Sequence, residues 1–149
     1  MKEYPVKHEP SPLDAKKVEK LTALWQRSVE ASHDFVDASE IAFYRPFVES
    51  LLPGFDVYTI NRGRRIAAFA AVKGSMLEML FVDAPYLGKG MGSQLLRQLK
   101  QSPGVDSLDV NEQNPRAIAF YERHGFHIVE RDEQDAFGHP HPILHLKLG

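Results

Sequence analysis

Cysteine is absent from this 149-residue chain, which excludes disulfides, thiol nucleophiles and Cys-ligated metal sites and is compatible with a reducing compartment. Long apolar runs are also missing. None approaches the roughly 20 residues that a membrane helix requires, and the charged opening Met1-Lys2-Glu3 is not followed by the apolar core of a signal peptide. A cytoplasmic protein without membrane contact is expected. Charge of one sign is lacking as well: 18 Lys and Arg stand against 20 Asp and Glu, the formal net charge is -2, and no sustained basic run occurs. Without a broad positive field, DNA or RNA is not expected as a partner. Repeats, linkers and low-complexity segments are absent too, so the 43% hydrophobic content predicts one globular domain over 1–149 with an ordinary core.

The patterning within that domain alternates between two periods. Tyr4 to His8 reads as a short edge strand, and Ser11-Pro12-Leu13-Asp14 reads as a helix start, after which Val18, Leu21, Leu24, Trp25 and Val29 recur at helical spacing to about Ala31. Asp37-Ala38-Ser39-Glu40 has capping-box spacing and opens a second helix through Ile41, Tyr44, Val48 and Leu52. Pro46 falls inside it, which predicts a bend or a break. Strands are expected at Phe55 to Ile60, Arg65 to Lys73 and Ser75 to Val82, with a turn at Asn61-Arg62-Gly63-Arg64. A helix to about Gln101, a strand at Ser107 to Asn111, a helix at Pro115 to His124 and strands at Phe126 to about Asp132 and Ile143 to Leu148 complete a β-α-α-β-β-β-α-β-α-β-β order.

Two strand-to-helix junctions carry the chemistry. In the first, Val82 leads through Leu87-Gly88-Lys89-Gly90-Met91-Gly92-Ser93 into an amphipathic helix. Glycine at 88, 90 and 92 removes the Cβ atoms that would hold a ligand off the backbone, and the first helical turn leaves amide hydrogens without intrahelical partners. Those donors and the positive end of the helix dipole favour an anion such as a pyrophosphate. Lys89 either adds charge there or is a solvated surface lysine. In the second junction, Asp109-Val110-Asn111 leads to Asn114 as helix cap, Pro115 at the first helical position, and Ala117, Phe120 and Tyr121 on one face.

Together the two junctions resemble the GNAT family of acetyl-CoA-dependent N-acetyltransferases. The glycines match that family's Gln/Arg-x-x-Gly-x-Gly/Ala signature, with Leu87 in place of its first polar residue. Further segments, among them Ser32-His33-Asp34-Phe35 and Gly138-His139-Pro140-His141-Pro142, are similar to small bacterial members. The resemblance implies an α+β (α/β) fold: a mixed, mostly antiparallel central sheet splayed between strands 4 and 5 and flanked by about four helices. It implies acetyl-CoA as cosubstrate, no metal, and a small-molecule or peptide amine as acceptor, in a monomer or homodimer.

It also implies roles. The diphosphate would meet the backbone from Leu87 and Gly88 through Lys89, Gly90, Met91 and Gly92 to Ser93. The pantetheine arm would pair with Leu80, Phe81 and Val82, and Asn111, Asn114, Ala117, Phe120 and Tyr121 would lie near it. Tyr121 would protonate the departing thiolate. An acceptor lysine with pKa about 10.4 must lose a proton at pH 7, at a cost of roughly 4 to 5 kcal/mol if unaided. Glu78, assigned the parity of Leu80 and Val82, is one candidate base and His33 the other. His139, His141 and His145 lack a recognisable carboxylate set in sequence, so lining an acceptor pocket is preferred to metal binding. The competing reading is a non-catalytic acyl-CoA-binding or sensing module. A dinucleotide-binding unit is disfavoured because an antiparallel meander, not a parallel βαβ unit, precedes the glycines.

Overall fold

The structure is a computed structural model that describes residues 3–32, 34–101 and 104–149. Its strands are β1 (Val6–His8), β2 (Asp56–Arg62), β3 (Arg65–Lys73), β4 (Met76–Val82), β5 (Ser107–Asn111), β6 (Phe126–Asp132) and β7 (Ile143–Leu148), and its helices are α1 (Ala15–Ser32), α2 (Ala38–Leu51), α3 (Met91–Leu99) and α4 (Pro115–Arg123). All seven strands form one sheet in the order β1-β2-β3-β4-β5-β7-β6. Every pairing is antiparallel except β4 with β5. The mixed fold and the element order agree with the sequence reading.

Helices cover both faces of the sheet, which explains why β3 is apolar from Ile66 to Val72 instead of alternating. On one face Ala68, Ala70, Leu77, Leu108 and Leu146 pack with Met91, Leu95 and Leu96 of α3 and with Phe120 and Tyr121 of α4. On the other, Phe69 and Ala71 pack with Leu21, Leu24 and Trp25 of α1 and with Ile41 and Val48 of α2. The small side chains of β3 let both helical layers approach closely.

Three local readings change. Tyr4 does not extend β1, because its backbone is occupied by the Gln94 side chain: Tyr4 N donates to Gln94 Oε1 at 2.8 Å and Gln94 Nε2 donates to the Tyr4 carbonyl at 2.7 Å. Pro46 does not break α2, which runs continuously from Ala38 to Leu51. Pro46 and Ala42, whose carbonyl loses its helical donor, both lie on the exposed side, where water can serve that oxygen. β2 continues to Arg62, and Gly63 makes the tight turn at φ 64°.

The sheet opens where the site lies. β4 and β5 pair only at Met76 with Ser107 and at Leu77 with Leu108. Beyond that point Leu80, Phe81 and Val82 remain paired to β3 alone, while β5 stays paired to β7 as far as Asn111 with Ile143. The β3–β4 register also slips, with Ala71 opposite Met79 and Val72 opposite Leu77, so Glu78 has no β3 partner. This irregularity moves Glu78 off the alternation assigned from sequence: Leu77, not Glu78, shares the α3 face with Leu80.

Candidate active site

The glycine segment is built on a buried anchor. Asp83 ends β4 at 1% exposure and accepts from Arg27 Nε (3.2 Å), Arg27 Nη2 (2.9 Å), Arg65 Nη2 (3.1 Å) and the Ala84 amide (3.1 Å). Burial alone would raise its carboxyl, but the Arg27 hydrogen bond and charge, with Ala84 and Arg65, hold it below the usual carboxylate range. From this point a short 3₁₀ turn, Ala84–Tyr86, delivers the chain to Gly88 (φ 75°) and Gly90 (φ 82°), the latter capping α3 in the left-handed region. A Cβ at either glycine would meet open space. Gly92 lies between Val82 and Phe120, whose carbons would stand 3.5 and 3.7 Å from an added Cβ.

The first intrahelical bond of α3 runs from Gln94 N to the Gly90 carbonyl at 3.0 Å. The amides of Met91, Gly92 and Ser93 therefore point out of the helix end without intrahelical acceptors. Leu87 donates its amide to Ala84 O at 3.3 Å and exposes its side chain. Lys89 is exposed, and its carbonyl accepts from the Tyr4 hydroxyl at 3.2 Å. Ser93 Oγ meets His124 Nε2 at 3.2 Å. Burial, with Lys100, Arg97 and Arg123, holds that imidazole below its usual pKa. His124 closes the helix of the second junction, and nothing in its spacing marks it as a partner of Ser93.

Beyond the open edge, the two sides of the gap differ. Leu80, Val82, Ala117, Phe120 and Tyr121 belong to the α3–α4 side, and Tyr121 stacks edge-on with Phe120 and Phe126 at 5.2 and 6.1 Å. Burial pushes the Tyr121 hydroxyl well above its ordinary pKa, so it holds its proton at neutral pH. Phe81, Asp109 and Asn111 face the α1–α2 side, where they line a cleft of about 990 Å³. Asn111 Oδ1 is buried there with no hydrogen-bond partner among the described residues, a state that costs about 1 to 3 kcal/mol unless a ligand donor meets it. Asn114 caps α4, its Oδ1 accepting from Ala117 N at 3.2 Å. His33 lies outside the described residues.

The cleft is mostly apolar and aromatic, with acidic groups set among those side chains. Asp109, Asp132, Glu133 and Asp135 line it together with His141 and His145, and among the described residues no Lys or Arg does. The histidines do have carboxylate partners, contrary to the sequence reading. His145 bridges Asp109 (Nδ1, 2.5 Å) and Asp132 (Nε2, 2.7 Å), and these bonds raise its pKa. His141 meets Glu40 at 2.5 Å and Gln113 at 2.7 Å. Tyr44 joins Asp135 and His139, tying the β6–β7 connection to α2. The partners are far apart in the chain, so spacing could not reveal them. Among the described residues no group of His, Asp and Glu has the arrangement of a metal site.

The comparisons with known proteins agree with this geometry. The acetyltransferase (GNAT) domain family matches residues 53–128. The peptidyl-lysine N-acetyltransferase YjaB of Salmonella typhimurium is 35% identical over 130 residues, covering 86% of this chain and 89% of that protein. The solution structure of apo-form YjaB from Escherichia coli superposes with a TM-score of 0.83 at 31% identity, covering 98% of this chain and 97% of that one. The PaiA N-acetyltransferase of Thermoplasma acidophilum, solved in complex with coenzyme A, has the same fold at TM-score 0.69 and 16% identity, covering 96% of this chain and 99% of that one.

Proposed function

This chain belongs to the GNAT acetyltransferase family and is an N-acetyltransferase, and from that premise we propose that its acceptor is a lysine side chain presented by a peptide or protein. One observation carries the proposal: the cleft beyond the strand opening has four acidic side chains and neither Lys nor Arg among its lining residues. Such a surface attracts an ammonium group. Exposed aromatic carbon from Phe47 and Phe137 at the same cleft suits the alkyl stem of a lysine and the residues beside it. The relatives named as peptidyl-lysine acetyltransferases support the same acceptor class. We read 1–149 as one catalytic domain acting in the cytoplasm.

Acetyl-CoA supplies an activated thioester. The residues present fit it: outward amides at Met91, Gly92 and Ser93, an unpaired strand edge at Leu80 to Val82, and the unpartnered Asn111 Oδ1 suit a diphosphate and an amide-bearing arm. Glu78, held above the usual carboxylate range, takes the proton of the incoming ammonium. The neutral amine then attacks the carbonyl, the C–N bond forms and the C–S bond breaks. A backbone amide on the β4 edge that β5 leaves unpaired would serve the developing oxyanion, a contact worth about 3 to 4 kcal/mol when well aligned. Tyr121 gives its proton to sulfur, and the second nitrogen proton, released as the amide forms, restores the balance through water.

The test is thiol release from acetyl-CoA with a lysine-containing peptide, its N-terminus blocked, against spermidine and free amino acids, with mass spectrometry locating the acetyl group. Acetylation at the lysine Nζ with peptide preferred is expected. Preference for spermidine would replace the peptide acceptor by a polyamine. Release at the hydrolysis rate for every amine would instead favour an acyl-CoA-binding module.

A further inference from the structure

Glu78 and Asp109 occupy equivalent places on the two strands that separate. Leu77 and Leu108 form the last parallel pair, and Glu78 and Asp109 are the next residues on either side. Leu108 and Val110 face the α3–α4 core, so alternation turns Asp109 to the cleft side, where it lines the cavity. The irregularity opposite Ala71 and Val72 takes Glu78 out of the α3-facing row. Two carboxylates thus stand at the apex of the opening. Beyond burial, the Asp109 charge raises the Glu78 carboxyl.

Their surroundings separate them. Asp109 is opposite His145 in the β5–β7 register and accepts from its Nδ1 at 2.5 Å, while His145 Nε2 is held at 2.7 Å by Asp132 of β6. Among the described residues Glu78 has no hydrogen-bonded cation. Part of its side chain reaches solvent, yet atoms packed around the carboxyl desolvate it, and the Asp109 charge acts in the same direction against Lys73 of β3. From the helical layer, Arg27 of α1 is engaged by Asp83. We propose, building on the reading of Glu78 as base, that Asp109 and His145 are positioning residues: His145, gripped between Asp109 and Asp132, holds the Asp109 side chain in place beside Glu78, so that Glu78 meets the acceptor's ammonium next to a fixed acidic neighbour.

The assignment predicts opposite signs from two variants. Asp109→Asn removes the neighbouring negative charge, and the Glu78 titration midpoint falls. His145→Gln keeps an amide donor for Asp109 but removes the compensating positive charge, and the midpoint rises. The full chain labelled with ¹³C at Glu carboxyls, with Glu78 assigned by its loss in Glu78→Gln, gives both midpoints by NMR. The acid limb of kcat/KM for acetyl-CoA and an N-terminally blocked lysine peptide moves in the same two directions. A midpoint unmoved by Asp109→Asn, or shifts of one sign in both variants, overturns the inference. If Glu78→Gln leaves the acid limb intact, the base reading itself falls and takes the inference with it. If Glu78→Gln abolishes the limb while Asp109→Asn moves nothing, the base reading stands and only the positioning role is lost. Should Asp109→Asn not fold, His145→Gln decides alone: an upward midpoint supports the inference, and an unchanged or lower one overturns it.

Discussion

At the scale of single residues, Tyr121 and Gly90 show how far a side chain or its absence can be read physically. Tyr121 packs in the α3–α4 core with its hydroxyl protonated by burial, which suits a donor to a leaving thiolate and would make it a poor base. Tyr121→Phe keeps the ring and removes the proton. Turnover is expected to fall by about 10²- to 10⁴-fold while coenzyme A still binds, which steady-state thiol release and calorimetry together would measure. Gly90 sits at φ 82° with open space where a Cβ would be, so Gly90→Ala meets a conformational penalty of about 1 to 2 kcal/mol and no clash. Chemical denaturation should register that loss, and coenzyme affinity should fall with it. Gly54→Ala, at a site without positive φ and without neighbours within 4 Å, serves as a control with little effect.

At the scale of elements, the junctions are held by caps and by ion pairs of different kinds. Asp37 starts α2 by accepting from Glu40 N at 2.9 Å, and Asp37→Ala should lower the unfolding midpoint in thermal or urea denaturation. The three C-terminal strands are joined by His145, whose pKa in the folded chain lies above the ordinary 6.5 because of Asp132 and Asp109. A raised pKa means the folded state binds the proton more tightly than the unfolded one. Its stabilising contribution is therefore complete below about pH 6.5 and is lost as pH rises through the folded value. Unfolding midpoints of the wild type and His145→Gln should converge as pH is raised above neutrality. The caps were legible because Asp37, Asn114 and Pro115 act on near neighbours. The His145 bridge was not, since Asp109 and Asp132 reach it only through strand pairing.

At the scale of the whole molecule, the site depends on two helical layers holding a sheet that is paired at one end and open at the other. Asp83 connects these parts, taking Arg27 from α1 and Arg65 from β3 at the point where β4 gives way to the glycine segment. Its pKa is lowered on folding, so its contribution is present above the unfolded carboxylate value near 3.8 and disappears as pH falls through the folded one. Arg27→Met removes two of its charged hydrogen bonds and should cost about 1.5 to 3 kcal/mol at pH 7. That difference should shrink in unfolding experiments carried below pH 4. Sequence alone determined the family, the order of elements, the glycine-bearing helix start and the apolar faces, because each is written in residues close in the chain or in a repeating period. Tertiary structure alone decided the slipped register that turns Glu78 away from the Leu80 face, the carboxylate pair at the strand opening and the acidic cleft. These arise from contacts between segments tens of residues apart, and no local spacing encodes which carboxylate will meet which imidazole.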